Sequence, residues 1–285
     1  MPEKVLVTGG FGLVGSQTVR RLVEGGHAVV ATDLGTPVQR KAAASLPANS
    51  EARWADLTDQ GEVDRLVAQV SPTAIVHLAA AIPPAVYRNP GLGRRVNVGA
   101  TAALLRAAQS RARPPRFVLA SSNAVYGARN PHRHPDRLRA DSPLQPSDLY
   151  GAHKVEAEDL VRASDLDWVI LRLGGVISVD PRAMPFTGDA LYFESALPTD
   201  GRIHTVDVRD VAAAFCAATT ADVVGEALLI AGDESHLRRQ KEVGVAMAAA
   251  RVCRMCCPPA GPAIPTVTKT GSSQTGWTPP APSKP

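Results

Sequence analysis

Cysteine is scarce in this chain: four among 285 residues, with only Cys216 in the first 250. No disulfide framework can therefore hold the main body together. Long apolar runs are missing as well. No stretch approaches the ~18 uninterrupted apolar residues that a membrane-spanning helix needs. The sequence runs from Met1 almost straight into Val5-Leu6-Val7, without a charged lead and cleavage site, so the expected compartment is the cytoplasm, with no membrane partner. A concentrated charge of one sign is also absent: 31 basic residues face 27 acidic ones, spread along the chain, which argues against nucleic acid as a partner. The densest basic stretch, Arg129 to Arg139 with His132 and His134, is broken by prolines; it reads as a solvated loop, with an anionic substrate as the alternative. At 45% hydrophobic the chain is not disordered as a whole. Its length allows one large α/β domain, alone or with a small appendage.

Short apolar runs alternate with longer segments of helical period. Strands are expected at Lys4–Thr8, Ala28–Thr32, Thr73–Leu78, Arg116–Ala120, Trp168–Leu173 and Glu226–Ile230. Helices are expected at Leu13–Glu24, Asp59–Val70, Val96–Ser110, Asp148–Ala163 and Asp207–Thr219. Such alternation builds right-handed βαβ units. The fold class is α/β, a Rossmann-like doubly wound parallel sheet of about seven strands whose ligand sits outside the carboxyl ends of the strands. Residues 1–173 with 207–231 form the dinucleotide-binding domain in this reading. Residues 174–206, too long for an ordinary connection, join 232–256 in a small C-terminal substrate-binding region.

The first strand ends in Thr8-Gly9-Gly10-Phe11-Gly12-Leu13-Val14-Gly15 and leads into a helix. Gly9 allows the tight turn, Gly12 lets a pyrophosphate approach the helix N-terminus, and Gly15 lets helix and strand pack closely. Asp33, at the end of the second strand, has the spacing of a carboxylate gripping a ribose diol. Its charge would repel a 2′-phosphate and no basic residue follows at once, so NAD is favoured over NADP; Arg40 and Lys41 come a few residues later.

Tyr150 and Lys154 lie four residues apart on an expected helix and so emerge on one face. A neighbouring ammonium and a positive nicotinamide ring both favour the phenolate, which makes Tyr150 a proton acceptor for a substrate hydroxyl. Ser122, at the end of a strand, can fix the same oxygen while hydride passes to the nicotinamide.

Taken in order, these motifs resemble the extended branch of the short-chain dehydrogenase/reductase superfamily, the NAD-dependent epimerase/dehydratase family. The likeness spans about residues 4 to 231. It includes Asp56-Leu57, His77-Leu78-Ala79-Ala80, Asn97, Ser121-Ser122-Asn123-Ala124-Val125-Tyr126-Gly127, the Tyr150–Lys154 pair, Leu171-Arg172-Leu173 and Val206-Asp207-Val208-Arg209-Asp210-Val211. The resemblance implies Ser122, Tyr150 and Lys154 as the catalytic trio, with Lys154 also holding the nicotinamide ribose. Asp56 and Leu57 resemble residues that meet the adenine. Leu78, Ala79 and Ala80 line the cofactor floor, Gly174 follows the strand that ends at the nicotinamide, and Leu13 and Val14 belong to the glycine turn. Asn97 stands among the cofactor-site positions, more as a brace for the active-site backbone than as a contact. His77 reads as a packed histidine at a strand end. Asn123, with Ser122 and Tyr150, is assigned to the substrate side.

The chain also departs from the family. Dehydrating members carry an acidic pair where Asn123 and Ala124 stand here, which argues against dehydratase activity. Gly174-Gly175 and the short interval to Asp207 depart from the nucleotide-sugar pattern, leaving room for a smaller sugar, a sugar acid or another secondary alcohol. Ser121-Ser122-Asn123 with Asp148-Leu149-Tyr150 is similar to uronate dehydrogenases. The expected function is an NAD-dependent epimerase or dehydrogenase acting on a carbohydrate-like substrate; the alternative is a catalytically idle dinucleotide-binding sensor or interaction protein. The resemblance also implies a homodimer, paired through the helices Val96–Ser110 and Asp148–Ala163 by outer faces bearing Ala102, Ala103, Ala107 and Ala157. No metal site is expected: Cys253, Cys256 and Cys257 lack a fourth ligand and a second pair. Residues 257–285, rich in Pro, Gly, Ser and Thr, read as a disordered or divergent tail, and the cysteine cluster before it as part of an out-of-frame end.

Overall fold

The computed structural model describes residues 3–134, 136–180, 197–246 and 249; the cysteine cluster and the C-terminal stretch read above as a tail lie outside them. The central strands are almost uninterrupted apolar sequence, as strands covered on both faces must be, whereas the edge strand Ser50–Trp54 carries Glu51 and Arg53. β1 (Lys4–Thr8), β2 (Ala28–Asp33), β3 (Ser50–Trp54), β4 (Ala74–His77), β5 (Arg116–Ser122), β6 (Trp168–Leu173) and a late strand, Glu226–Ile230, form one seven-stranded sheet. Every neighbouring pair in it is parallel. Its order is β3-β2-β1-β4-β5-β6 followed by the late strand. The chain therefore reverses direction across the sheet between β1 and β4, and the crevice above their carboxyl ends is where such a fold binds its ligand.

Period-two alternation sends successive side chains to opposite faces. Leu6, Val30, Ile75, Phe117 and Ile170 point to one side, where they meet α3 (Gln60–Val70), α6 (Ala100–Gln109) and α7 (Leu149–Arg162). Val5, Val7, Val29, Val76, Val118 and Val169 point to the other, against α1 (Leu13–Glu24) and α8 (Val208–Ala218). α2 (Pro37–Ala43), α4 (Ala85–Arg88) and α5 (Pro90–Arg94) are short helices, and a further helical run starts at Gln240. A second sheet of three strands is built from β7 (Gly175–Ile177), β8 (Arg202–Asp207) and β10 (Leu237–Arg239), the late strand of the main sheet being β9. Residues 181–196, between β7 and β8, lie outside the description.

Two expectations need correction. The helix expected at Val96–Ser110 starts at Pro90 as α5, passes through one wide turn of π type at Arg95–Gly99, and only then continues as α6. The alanines expected on outward faces of α6 and α7 point inward: Ala103, Ala107 and Ala157 are buried in the core cluster under the sheet, and of the four only Ala102 is partly exposed. Small residues let these helices lie close to the strands, which is why the alanine pattern signals packing within the protomer.

Candidate active site

At the carboxyl end of β1 the chain turns through Gly9 in the left-handed region (φ 65°) and enters α1. A Cβ on Gly9 would lie 2.8 Å from the Ala79 nitrogen, and one on Gly15 would lie 2.0 Å from the Gly9 carbonyl oxygen. The turn is thus pressed against both the end of β4 and its own helix. Gly12 differs, since a Cβ there would meet nothing nearer than the Gly9 oxygen at 3.4 Å.

α1 starts differently from the other long helices that begin at the sheet's carboxyl edge. α3, α7 and α8 each begin with an aspartate, Asp59, Asp148 or Asp207, whose carboxylate accepts a first-turn backbone N–H. α1 begins at Gly12 with no side-chain cap and no acidic residue in its first turn. Its leading N–H groups and the positive end of its dipole are left for an anion from outside. That fits a dinucleotide diphosphate.

Asp33, the last residue of β2, accepts from its neighbour Leu34 N–H at 3.0 Å, from Gln39 Nε2 at 2.7 Å and from the Phe11 N–H of the glycine turn. Partial burial raises its pKa, against the pull of the two backbone donors. Arg40 is drawn aside: its Nε donates to the Gly35 carbonyl at 2.8 Å and its guanidinium lies 4.9 Å from the Trp54 ring. Trp54 also packs on Phe11, ring centroids 5.2 Å apart. Asp56 is exposed and accepts from Thr58 N–H and Oγ1, both at 2.8 Å, while Leu57 is buried below it. Leu78, Ala79 and Ala80 follow β4 as a partly exposed strip beside the glycine turn.

His77 is buried, with Nδ1 2.7 Å from Thr8 Oγ1 and Nε2 3.1 Å from Thr101 Oγ1. Burial first, and then the nearby Lys154 cation, pull its pKa down to about 3, so the ring is neutral. Asn97, in the π turn, grips the backbone beyond β4: its Oδ1 accepts from Ala81 N–H at 2.7 Å and its Nδ2 donates to the Ala81 carbonyl at 2.9 Å. That places its side chain on the protein's own backbone.

The three expected catalytic residues converge at the end of β5. Ser122 Oγ accepts from Ala124 N–H at 3.2 Å and hydrogen-bonds the Tyr150 hydroxyl. Tyr150 stands in the first turn of α7, held in place by the Asp148 cap, whose Oδ1 accepts from Gly151 N–H at 2.8 Å. Lys154 follows one turn later, buried, with Nζ donating to the Ala120 carbonyl at 2.7 Å and lying 5.7 Å from the Tyr150 ring centre. Burial depresses Lys154 to about 8, with Glu158 opposing.

Tyr150 is pushed up to about 12, chiefly by enclosure of its hydroxyl and further by the charge of Asp148, against the Ser122 hydrogen bond. The ammonium of Lys154 is turned to the Ala120 carbonyl, and enclosure dominates the Tyr150 hydroxyl.

One pair near the site carried no sequence signal. Tyr87 on α4 hydrogen-bonds Asp148, and its charge also bears on Tyr150; nothing in the spacing of residues 87 and 148 announces the pair. On the outer side of Ser122 lies a cavity of about 490 Å³ lined by Asn123, Ala124, Asp148, Gly174 and His204, with Arg129, Arg137 and Arg202 at its walls. Arg137 is already paired with Glu234 at 2.7 Å. Gly174 packs so closely on β8 that a Cβ would lie 2.6 Å from the His204 oxygen.

The NAD dependent epimerase/dehydratase family matches residues 5–231, a span that covers the glycine turn, the Ser122–Tyr150–Lys154 cluster and all of the main sheet but Lys4. The chain belongs to this family. Among curated proteins it is 33% identical over 184 residues to the UDP-glucose 4-epimerase of Azospirillum brasilense, covering 62% of this chain and 50% of that one. It is 34% identical over 190 residues to the D-erythronate dehydrogenase of Cupriavidus necator, covering 62% and 56%. The chain thus spans about half the length of the curated relatives it matches. The structure of the Thermus thermophilus UDP-glucose 4-epimerase in complex with NAD superposes with a TM-score of 0.73 at 27% identity, covering 87% of this chain and 83% of that one.

Proposed function

We propose that this family member is an NAD-dependent oxidoreductase that moves hydride between a secondary alcohol of a carbohydrate-like substrate and NAD, with Tyr150 as the base. The observation that carries the reading is the meeting of the Ser122 and Tyr150 hydroxyls, with Lys154 one turn behind, beside an uncapped glycine-turn helix. The diphosphate falls to the open space at Gly12 and the N–H groups of Leu13, Val14 and Gly15, the adenosine ribose to Asp33, and the adenine to the Asp56–Leu57 corner. NAD, when bound, would supply the hydride acceptor and the positive charge of its nicotinamide ring.

Ser122 orients the substrate hydroxyl, and Tyr150 accepts its proton as the C–H electron pair leaves as hydride. Lys154, one turn from Tyr150, would hold the nicotinamide ribose when NAD is bound, and its ammonium offers positive charge to the forming phenolate. Enclosure of Tyr150 keeps it protonated until such charges arrive, so the base is generated only in the loaded site. The cavity beyond Asn123 has room for a monosaccharide, and its arginines favour sugars or sugar acids with an anionic group.

Oxidation and epimerisation share this first half-reaction. Asn123 and Ala124 supply no acid for eliminating water, so dehydration is not proposed. A panel of sugars, sugar acids and nucleotide sugars separates the outcomes: NADH accumulation marks a dehydrogenase, and stereochemical conversion without net NADH marks an epimerase. Tight NAD binding with no turnover across the panel would instead favour an idle binding protein.

A further inference from the structure

Glu158 is fully buried on α7, yet takes no part in the proton or hydride transfer above. Its Oε1 accepts from Ser121 Oγ at 2.5 Å and from Arg172 Nε at 3.0 Å. Its Oε2 accepts from Arg172 Nη2 and Arg162 Nη2, both at 2.7 Å. Four donors fill the carboxylate's acceptor capacity. Arg172 continues the chain, donating through Nη1 to the Tyr126 hydroxyl at 2.6 Å and to the Ala140 carbonyl at 2.7 Å.

A buried ion cluster of this kind gains little stability over apolar packing of the same volume, so stability alone does not account for it. Its placement does. Ser121 immediately precedes Ser122 and lies in register with Arg172 across β5 and β6. Tyr126 closes the short 3-10 turn that follows Ser122. Glu158 is one helical turn from Lys154 and two from Tyr150, on the same face. The groups shown to face Lys154 are Tyr150 and Glu158 from its own helix, neutral His77 from β4, and the Ala120 carbonyl from β5. Glu158 is the carboxylate whose charge reaches it.

We propose that Glu158 is a positioning residue: clamped by Ser121, Arg162 and Arg172, it fixes α7 against β5 and β6 so that Ser122, Tyr150 and Lys154 converge, and its negative charge sustains the Lys154 ammonium. The catalytic use of that ammonium rests on the function proposed above; the electrostatic coupling does not. Burial would raise the Glu158 pKa, but the donors from Arg172, Ser121 and Arg162 outweigh it and hold it low, so the charge is present throughout the neutral range.

The test is an NMR pH titration of Lys154 in the full chain labelled with ¹³C-lysine, without cofactor or substrate. In the unaltered protein the midpoint is expected at about 8. Glu158→Gln is expected to lower it by about one pH unit or more, because the opposing charge is gone while burial stays. Arg162→Met, which removes a partly exposed cation from the far side of the carboxylate, is expected to raise it. Loosened packing would hydrate Lys154 and raise its midpoint, so a fall in Glu158→Gln cannot come from a merely structural role. A folded Glu158→Gln with an unchanged or raised midpoint overturns the proposal. Should that variant fail to fold, an unchanged midpoint in native-like Arg162→Met overturns it and a raised one supports it. Because no cofactor enters the titration, its result stands apart from whether turnover is found.

Discussion

Glycines 12 and 15 lie three residues apart in one turn and serve different masters. A methyl group on Gly15 would be driven into the Gly9 carbonyl oxygen, a backbone atom that cannot step aside. Gly15→Ala is therefore expected to cost about 2 kcal/mol or more in chemical denaturation. On Gly12 the same methyl finds room within the protein and occupies the space left for a diphosphate. Gly12→Ala is expected to cost under about 1 kcal/mol of stability, yet to weaken NAD binding about tenfold or more in calorimetry, one decade being about 1.4 kcal/mol. Equal effects of the two changes on stability would contradict this division. At the residue scale the sequence was informative, because Ser122, Tyr150, Lys154 and the glycine turn lie in short motifs whose chemistry shows in their spacing. What it could not show was which neighbour dominates. The Tyr150 pKa is set by enclosure of its hydroxyl, and enclosure depends on elements distant in the chain.

Elements hold these residues through a few buried polar ties. Thr8 on β1, His77 on β4 and Thr101 on α6 form one of them, a neutral imidazole clamped between two hydroxyls. Its folded pKa of about 3 lies below the ordinary value of 6.5, so below pH 6.5 the unfolded chain binds a proton that the folded one refuses. This contribution to stability is complete above pH 6.5 and is lost as pH falls from there toward 3, at about 1.4 kcal/mol per pH unit. Urea unfolding between pH 7 and 4 is expected to show a shallower loss in His77→Asn than in the parent chain; identical slopes would remove His77 from the account. The π turn at Arg95–Gly99 is a second tie, presenting Asn97 to Ala81. Apolar periodicity announced a helix there but not its extra residue per turn, because one wide turn barely disturbs the pattern. The short helix bearing Tyr87 was missed for a related reason, since four residues carry no period.

On the scale of the whole molecule, the parallel, doubly wound sheet was readable from the alternation of strand and helix, but neither the strand order nor β3, whose short SEARW run carries little apolar signal, was. Which face of each helix meets the sheet was not. Ala103, Ala107 and Ala157 look the same in sequence whether they face a strand or a second subunit, and they face the core. A homodimer through α6 and α7 remains our proposal, with Ala102 the one of the four alanines left partly exposed for it; light scattering is expected to give twice the chain mass, and a monomeric mass would reject it. The central claim is that the Ser122–Tyr150–Lys154 cluster oxidises a carbohydrate-like secondary alcohol with NAD. Its most direct test is turnover of the sugar, sugar-acid and nucleotide-sugar panel by the parent chain and by Tyr150→Phe. The expected result is conversion of at least one class, reduced on the order of a hundredfold or more in the variant with NAD binding retained. Undiminished turnover in Tyr150→Phe, or NAD binding without conversion of any class, would contradict it.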